Sequence, residues 1–275
     1  MHSALFSIGP LTVRAYGLCM ALGFMFGWIC ASRLCKKTGQ DGEWLSSFLS
    51  WLMVSAVVGA RIAYVIEHWK SEFAGNPAAI IRVDQGGLMF YGGLIGAAIT
   101  LTLYARLIRK PIFAITDLVL AVVPLGHALG RIGCFFHGCC YGRLTQGAWG
   151  VHFPKYSPAW YEQLNATPPL ITEQATESLA VIPTQLIEAG ANLILFAVLF
   201  RLYPKAYRNR GRITGIYLIA YATLRFLIEY LRGDPRYAVG PFSIGQTISI
   251  GLILGGLLIC FRNRFRPENP TVPQA

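Results

Sequence analysis

Seven stretches of this chain are apolar almost throughout, and short segments rich in arginine, lysine, glycine and proline separate them. A helix that crosses a bilayer needs roughly 20 mostly apolar residues. The stretches Leu11–Ser32, Trp44–Ile66, Gly87–Leu107, Pro111–Cys134, Thr184–Leu202, Ile213–Leu231 and Ile244–Phe261 meet that length or come within a few residues of it. The pattern predicts an all-α polytopic membrane protein of about seven transmembrane helices. It shows no internal repeat, so residues 1–266 read as one transmembrane domain, followed by a disordered tail at 267–275. The first apolar run has no basic region ahead of it and is long enough to span, so no cleavable signal peptide is expected.

Loop charge sets the orientation. Arg33, Lys36 and Lys37 follow the first stretch, Arg106, Arg109 and Lys110 the third, Lys205, Arg208, Arg210 and Arg212 the fifth, and Arg262, Arg264 and Arg266 the seventh. Basic loops stay on the cytoplasmic side. The N-terminus is then outside and the C-terminus cytoplasmic. On the outer face, residues 143–183 form a long proline-rich arm whose Trp149, Tyr156, Trp160 and Tyr161 suit a membrane–water interface, with a short interfacial helix expected at Ala159–Asn165.

Composition agrees with lipid as the solvent. Only 13% of residues are charged and 54% are hydrophobic, against roughly 25% charged in soluble domains. The net charge of +11 would suggest nucleic acid in a soluble protein. Here the basic residues cluster between spans and no nucleic-acid motif accompanies them, so no nucleic-acid partner is expected.

Ionisable side chains inside spans are costly and mark sites by default. This chain has Arg14, Arg61, Asp117, His127, Arg131, Glu188, Arg225, Glu229 and Arg232. Arg14, Arg131, Glu188 and Arg232 fall near the outer ends of their spans, and Arg225 and Glu229 about one to two turns deeper. On the sixth span Tyr221, Arg225, Glu229 and Arg232 share an arc of roughly 80° at about 100° per residue. An Arg225–Glu229 helix pair accounts for part of that arc. An anionic headgroup held by guanidinium and tyrosine accounts for all of it.

Two glycine-rich segments add to this. Tyr91-Gly92-Gly93-Leu94-Ile95-Gly96 contains a GxxxG spacing, which serves close helix packing or lets a headgroup approach the backbone. Gly130–Gly142 ends the fourth span and holds Arg131, Cys134, His137, Cys139 and Cys140. The thiols permit a disulfide, a nucleophile with His137 as base, or a metal. Their spacing is not a standard zinc pattern and no second pair completes four ligands, so neither metal nor cofactor is expected.

These segments, in this order, resemble the prolipoprotein diacylglyceryl transferase family. The likeness runs through Val13–Gly17, Gly59–Arg61, Tyr91–Gly96, Gly130–Gly142, Pro183–Glu188 and Tyr221–Asp234. It implies an enzyme of the bacterial inner (cytoplasmic) membrane that moves the diacylglyceryl group of phosphatidylglycerol to the lipobox cysteine of a prolipoprotein signal peptide, releasing glycerol phosphate. Its implied catalytic residues are Arg131, Arg225, Tyr91 and Glu229. Substrate binding would fall to Arg14, Tyr16, Arg61, Gly92, Gly93, Gly96, Cys134, His137, Cys139, Gly142, Glu188, Tyr221 and Arg232. The chain departs from the family pattern where Tyr91 replaces a histidine, Cys134 and His137 replace asparagines, Cys139 replaces a glutamate and Ile182 replaces a histidine. Tyrosine is a poor base near neutral pH. The residues alone therefore also allow a transferase with another acceptor, or a non-catalytic transporter or lipid-binding protein.

Overall fold

The computed structural model describes residues 4–8, 11–82, 86–233, 238–239 and 241–264. The expected tail at 267–275 lies outside them, as does Asp234. In chain order the elements are β1 (Ala4–Ile8), β2 (Leu11–Arg14), α1 (Ala15–Lys37), α2 (Trp44–Glu67), α3 (Phe90–Leu107), α4 (Ile112–His137), α5 (Pro158–Leu164), α6 (Thr184–Ala206), α7 (Arg212–Glu229), β3 (Ala238–Val239), β4 (Phe242–Ser243) and α8 (Ile244–Arg264). Five helices, α1, α2, α4, α6 and α8, are long and apolar enough to cross a membrane. The other two expected spans form α3 and α7, each of 18 residues. Large apolar side chains such as Val54, Val58, Ile62, Ile95, Ile99 and Leu258 face outward, as lipid-facing helix surfaces do. The chain is a predominantly helical integral membrane protein.

Several boundaries differ from the hydropathy reading for local reasons. Leu11–Arg14 is not helical but pairs antiparallel with Ala4–Ile8; Thr12 and Val13 are β-branched, which suits a strand. Arg14 therefore precedes the first helix and is exposed. At Gly86 and Gly87 φ is +89° and +74°, left-handed backbone that favours glycine, so α3 starts only at Phe90. α4 continues past Gly130 and Gly133 to His137 and stops at Gly138, where φ is +80°. α7 ends at Glu229 because the next backbone groups are taken elsewhere. The Arg143 N–H donates to the Leu231 carbonyl at 2.8 Å, and Gly142 pairs with Arg232. Arg232 thus leaves the helical arc expected for it.

The chain divides into two compact units, Met1–Leu34 with Asp117–Ala275, and Cys35–Thr116. In the smaller unit α2 and α3 pack antiparallel through their glycines. A methyl group at Gly92 would collide with the Gly59 carbonyl and with Ala63, and one at Gly96 with the Ser55 carbonyl. Gly93 sits 3.1 Å, by the same measure, from the Ala56 carbonyl. These glycines, expected near a headgroup, are spent on backbone-to-backbone packing. A Gly92→Ala variant is expected to lose about 1–3 kcal/mol of stability from overpacking, read as an earlier thermal unfolding midpoint in detergent; an unchanged midpoint would show that the pair can slide apart.

In the larger unit α1 lies against α4 at Gly23 and Gly126, and α7 against α8 at Gly215 and Gly256. Buried Asp117 on α4 caps α7: its carboxylate accepts from Gly211 N at 2.6 Å, Thr214 N at 2.7 Å and Thr214 Oγ1 at 2.6 Å. Its place inside a span is structural, since it satisfies otherwise unpaired donors at a helix start. The arm folds over a small core of Tyr141, Phe153, Ala159 and Val181, with Phe135 of α4 packed against it. Its helix α5 is capped by Ser157, whose hydroxyl accepts from Trp160 N at 3.2 Å. Trp149 is 87% exposed, and Tyr156 and Tyr161 are exposed too. Trp160, expected at the interface, is buried and donates to the Ala175 carbonyl at 2.9 Å.

Candidate active site

His127, Arg131, Glu188, Arg225 and Glu229 of the larger unit meet between α4, α6 and α7. One turn apart on α4, His127 and Arg131 both reach Glu188 of α6. Arg131 Nη2 lies 3.0 Å from Glu188 Oε1 and His127 Nε2 lies 3.4 Å from the same oxygen. Arg131 Nε also donates to His127 Nε2 at 3.3 Å. On α7, Arg225 Nη1 lies 2.9 Å from Glu229 Oε2. The two pairs belong to one region. Arg225 is within electrostatic range of Glu188, and the Tyr221 ring stands 5.2 Å from the His127 ring and stacks on Tyr217 at 5.5 Å.

Exposure separates the partners within each pair. Glu188 and Glu229 keep only 2% and 3% of their side-chain surface, while Arg131 and Arg225 keep 14% and 19%. The carboxylates are sealed and the arginine side chains stay partly exposed. Glu229 is further held by Ser243 Oγ, which donates to its Oε1 at 2.7 Å, and by Gly245, where a side chain would press on the carboxylate. Glu229 therefore anchors Arg225 and ties α7 to α8. Two buried acceptors on the Glu188 face of α6, Gln185 Oε1 and Asn192 Oδ1, have no hydrogen-bond partner among the described residues.

Next to Arg131 lies the thiol group. Cys134 lies in the last turn of α4, and the turn after the helix brings Cys139 and Cys140 back, so that the three sulfurs lie within 4.8 Å of one another. The turn is held from α6: Gln185 Nε2 donates to the Cys139 carbonyl at 2.8 Å and Thr184 Oγ1 to the Cys140 carbonyl at 2.9 Å. Hydrogen bonds from Cys134 and Cys139 hold the Cys140 thiol below its ordinary value, with the charges of Arg232 and Arg131 acting in the same direction. The same hydrogen bonding pushes Cys139 up. Tyr16 packs on Gly133 and feels the charges of the three thiols and of Arg131. His137 ends α4 and is not part of the sulfur group. Gly142 is a crossing point: its N–H donates to the Ile182 carbonyl at 2.8 Å, and a side chain there would strike the Leu231 and Ile182 carbonyls.

Arg61, in the smaller unit, does different work from that expected. Its guanidinium donates to the carbonyls of Ile80 (2.8 Å), Gly86 (2.9 Å), Gly87 (3.0 Å), Ala79 (2.7 Å) and Arg82 (3.2 Å). All five donors of the fork are used, so no donor is left for a phosphate and the side chain serves as a staple for the loop ahead of α3. Arg61→Lys supplies three donors at most. It is expected to cost about 2–4 kcal/mol through the carbonyls left unpaired while leaving turnover per folded molecule unchanged; a turnover loss at full stability would return Arg61 to the binding site. Tyr91 opens α3 with 54% of its surface exposed.

The family model for prolipoprotein diacylglyceryl transferase matches residues 3–262. The chain belongs to this family. A phosphatidylglycerol–prolipoprotein diacylglyceryl transferase of Pseudoalteromonas translucida is 36% identical over 260 residues, 92% of this chain and 89% of the relative. Those of Xanthomonas oryzae and Oleidesulfovibrio alaskensis are 34% and 30% identical, covering 98% and 92% of this chain and 93% and 90% of their own lengths.

As a member of the prolipoprotein diacylglyceryl transferase family, the chain keeps a site whose first contacts include residues that sequence reading left without a role. His127 stood only among the intramembrane charges. Its i,i+4 spacing from Arg131 was the signal that the two share a helix face. Ser243, Gln185 and Thr184 carry no such signal, because they act from distant segments.

Proposed function

We propose that this protein transfers the diacylglyceryl group of phosphatidylglycerol to the lipobox cysteine thiol of prolipoproteins. The observation that carries the reading is a family match over nearly the whole chain, joined to two partly exposed arginines backed by sealed carboxylates. In the reaction the acceptor thiol loses its proton and the sulfur attacks the diacylglyceryl carbon that bears the phosphate. A C–S bond forms, the C–O bond breaks, and the electron pair leaves with glycerol phosphate. Arg131 and Arg225 stabilise the charge that grows on the departing phosphate. Glu188 and Glu229 position them, with His127 steadying Arg131, and Tyr221 and Arg232 add donors at the headgroup. Tyr16, Cys134, Cys139 and Gly142 shape the wall beside Arg131.

The reading includes seven spans with the N-terminus outside, the C-terminus cytoplasmic and residues 143–183 as a periplasmic arm, all within one transferase domain in the bacterial inner membrane. The loop charges support it. So do the exposed aromatics of the arm. Incubating purified protein with labelled phosphatidylglycerol and a lipobox peptide is expected to give a thioether-linked peptide and glycerol phosphate. If neither product forms with a folded preparation, the transfer reading fails. Release of glycerol phosphate without peptide modification would favour another acceptor.

A further inference from the structure

We propose that Cys134, Cys139 and Cys140 form a three-thiolate zinc site whose fourth position is open to an incoming thiol. Sulfurs bound to one zinc ion at roughly 2.3 Å lie about 4 Å or less from each other. The three Sγ atoms are already mutually within 4.8 Å, so small side-chain rotations close the triangle. A disulfide would use two of these sulfurs and leave the third without purpose.

The turn that gathers them is built for the purpose. Gly138 has φ +80° and Cys140 has φ +61°. Left-handed backbone costs a non-glycine residue roughly 1–2 kcal/mol, and such outliers persist where the surroundings over-determine them. Here the surroundings are explicit. The Gly138 and Cys139 N–H groups both donate to the Cys134 carbonyl, at 2.9 and 3.2 Å, and α6 grips the Cys139 and Cys140 carbonyls. The result is that both following thiols fold back over Cys134. The charges of Arg131 and Arg232 act on the group and offset the net negative charge of zinc with three thiolates.

Zinc sites with three protein ligands and one open position are those that do chemistry, and a thiol on zinc is deprotonated outright. Resting on the transfer reading, the open position would bind the lipobox sulfur as a thiolate, an S–Zn bond replacing the S–H bond and the proton passing to water.

The full-length protein, purified in detergent under reducing conditions, is expected to retain about one zinc per chain. Cys134→Ser, Cys139→Ser and Cys140→Ser should each lose it, while Cys19→Ser and Cys260→Ser keep it. Cobalt substitution should give thiolate-to-metal absorption worth three sulfurs. A lipobox peptide should raise that absorption by roughly a third, to four thiolates around the metal, and its serine analogue should not. If a serine variant fails to fold, the cobalt spectrum of the unsubstituted protein still counts the thiolates. Zinc far below one per chain after loading overturns the site, whether the thiols titrate as free or as a bridged pair reduced beforehand. So does uptake that survives all three serine variants. No response to the cysteine peptide overturns the open position. None of these readouts requires turnover, so failure of the transfer reaction is scored separately.

Discussion

Replacing Arg131 by glutamine is expected to lower diacylglyceryl transfer by about 10²–10³-fold, the usual consequence of removing one donor aimed at developing charge. The guanidinium is fixed on three sides: α4 carries it, Glu188 holds Nη2 at 3.0 Å, and Nε donates to His127 at 3.3 Å. The side chain keeps 14% of its surface, and the proposed phosphate would meet it there. Glutamine keeps the volume but neither the charge nor the fork. Arg131→Lys keeps the charge as a point and loses bidentate geometry, so it should recover only part of the rate. The measurement is single-turnover release of glycerol phosphate with lipid in excess. If the loss appears wholly as weaker binding of phosphatidylglycerol, with the rate of the bound complex unchanged, Arg131 holds the ground state and gives no added stabilisation to the leaving phosphate.

Replacing Glu188 by leucine is expected to cost about 3–5 kcal/mol of stability, because it leaves the Arg131 charge buried without a partner. Glu188 keeps 2% of its side-chain surface, so water cannot take over its role. The double variant Arg131→Met with Glu188→Leu should regain most of that stability, since replacing both members of a buried pair with apolar groups is often neutral. Transfer should stay lost. Thermal unfolding in detergent for the two single variants and the double gives the coupling directly. Additive losses would mean that the two side chains act independently and that the 3.0 Å contact contributes nothing to the fold.

Arg61 and Arg131 look alike in the chain: each has a glycine within the two residues before it and each lies in a span. One staples a loop with five carbonyl bonds and the other pairs with a carboxylate while staying partly exposed. No pattern of residue types distinguishes them, because the difference lies in which backbone carbonyls come within reach. The GxxxG segment of α3 was legible as a packing device, and the structure supplies its partner, Gly59.

By itself the sequence determined the helical membrane architecture, the approximate limits of the seven apolar segments and the family. These follow from solvent and spacing. A lipid interior dictates length and hydrophobicity locally, and the motif order survives as written text. It also marked the arginines and acids that matter, since a charge in an apolar run is visible without a fold. The tertiary structure alone decided which charge meets which. It assigned His127 to Glu188, withdrew Arg61 and Arg232 from the positions expected of them, and drew three thiols into one group. Each of those outcomes depends on contacts between segments tens of residues apart, such as Gln185 and Thr184 on the turn at Cys139 and Cys140. Periodicity within a helix fixes a face, but only packing between helices fixes what that face will touch.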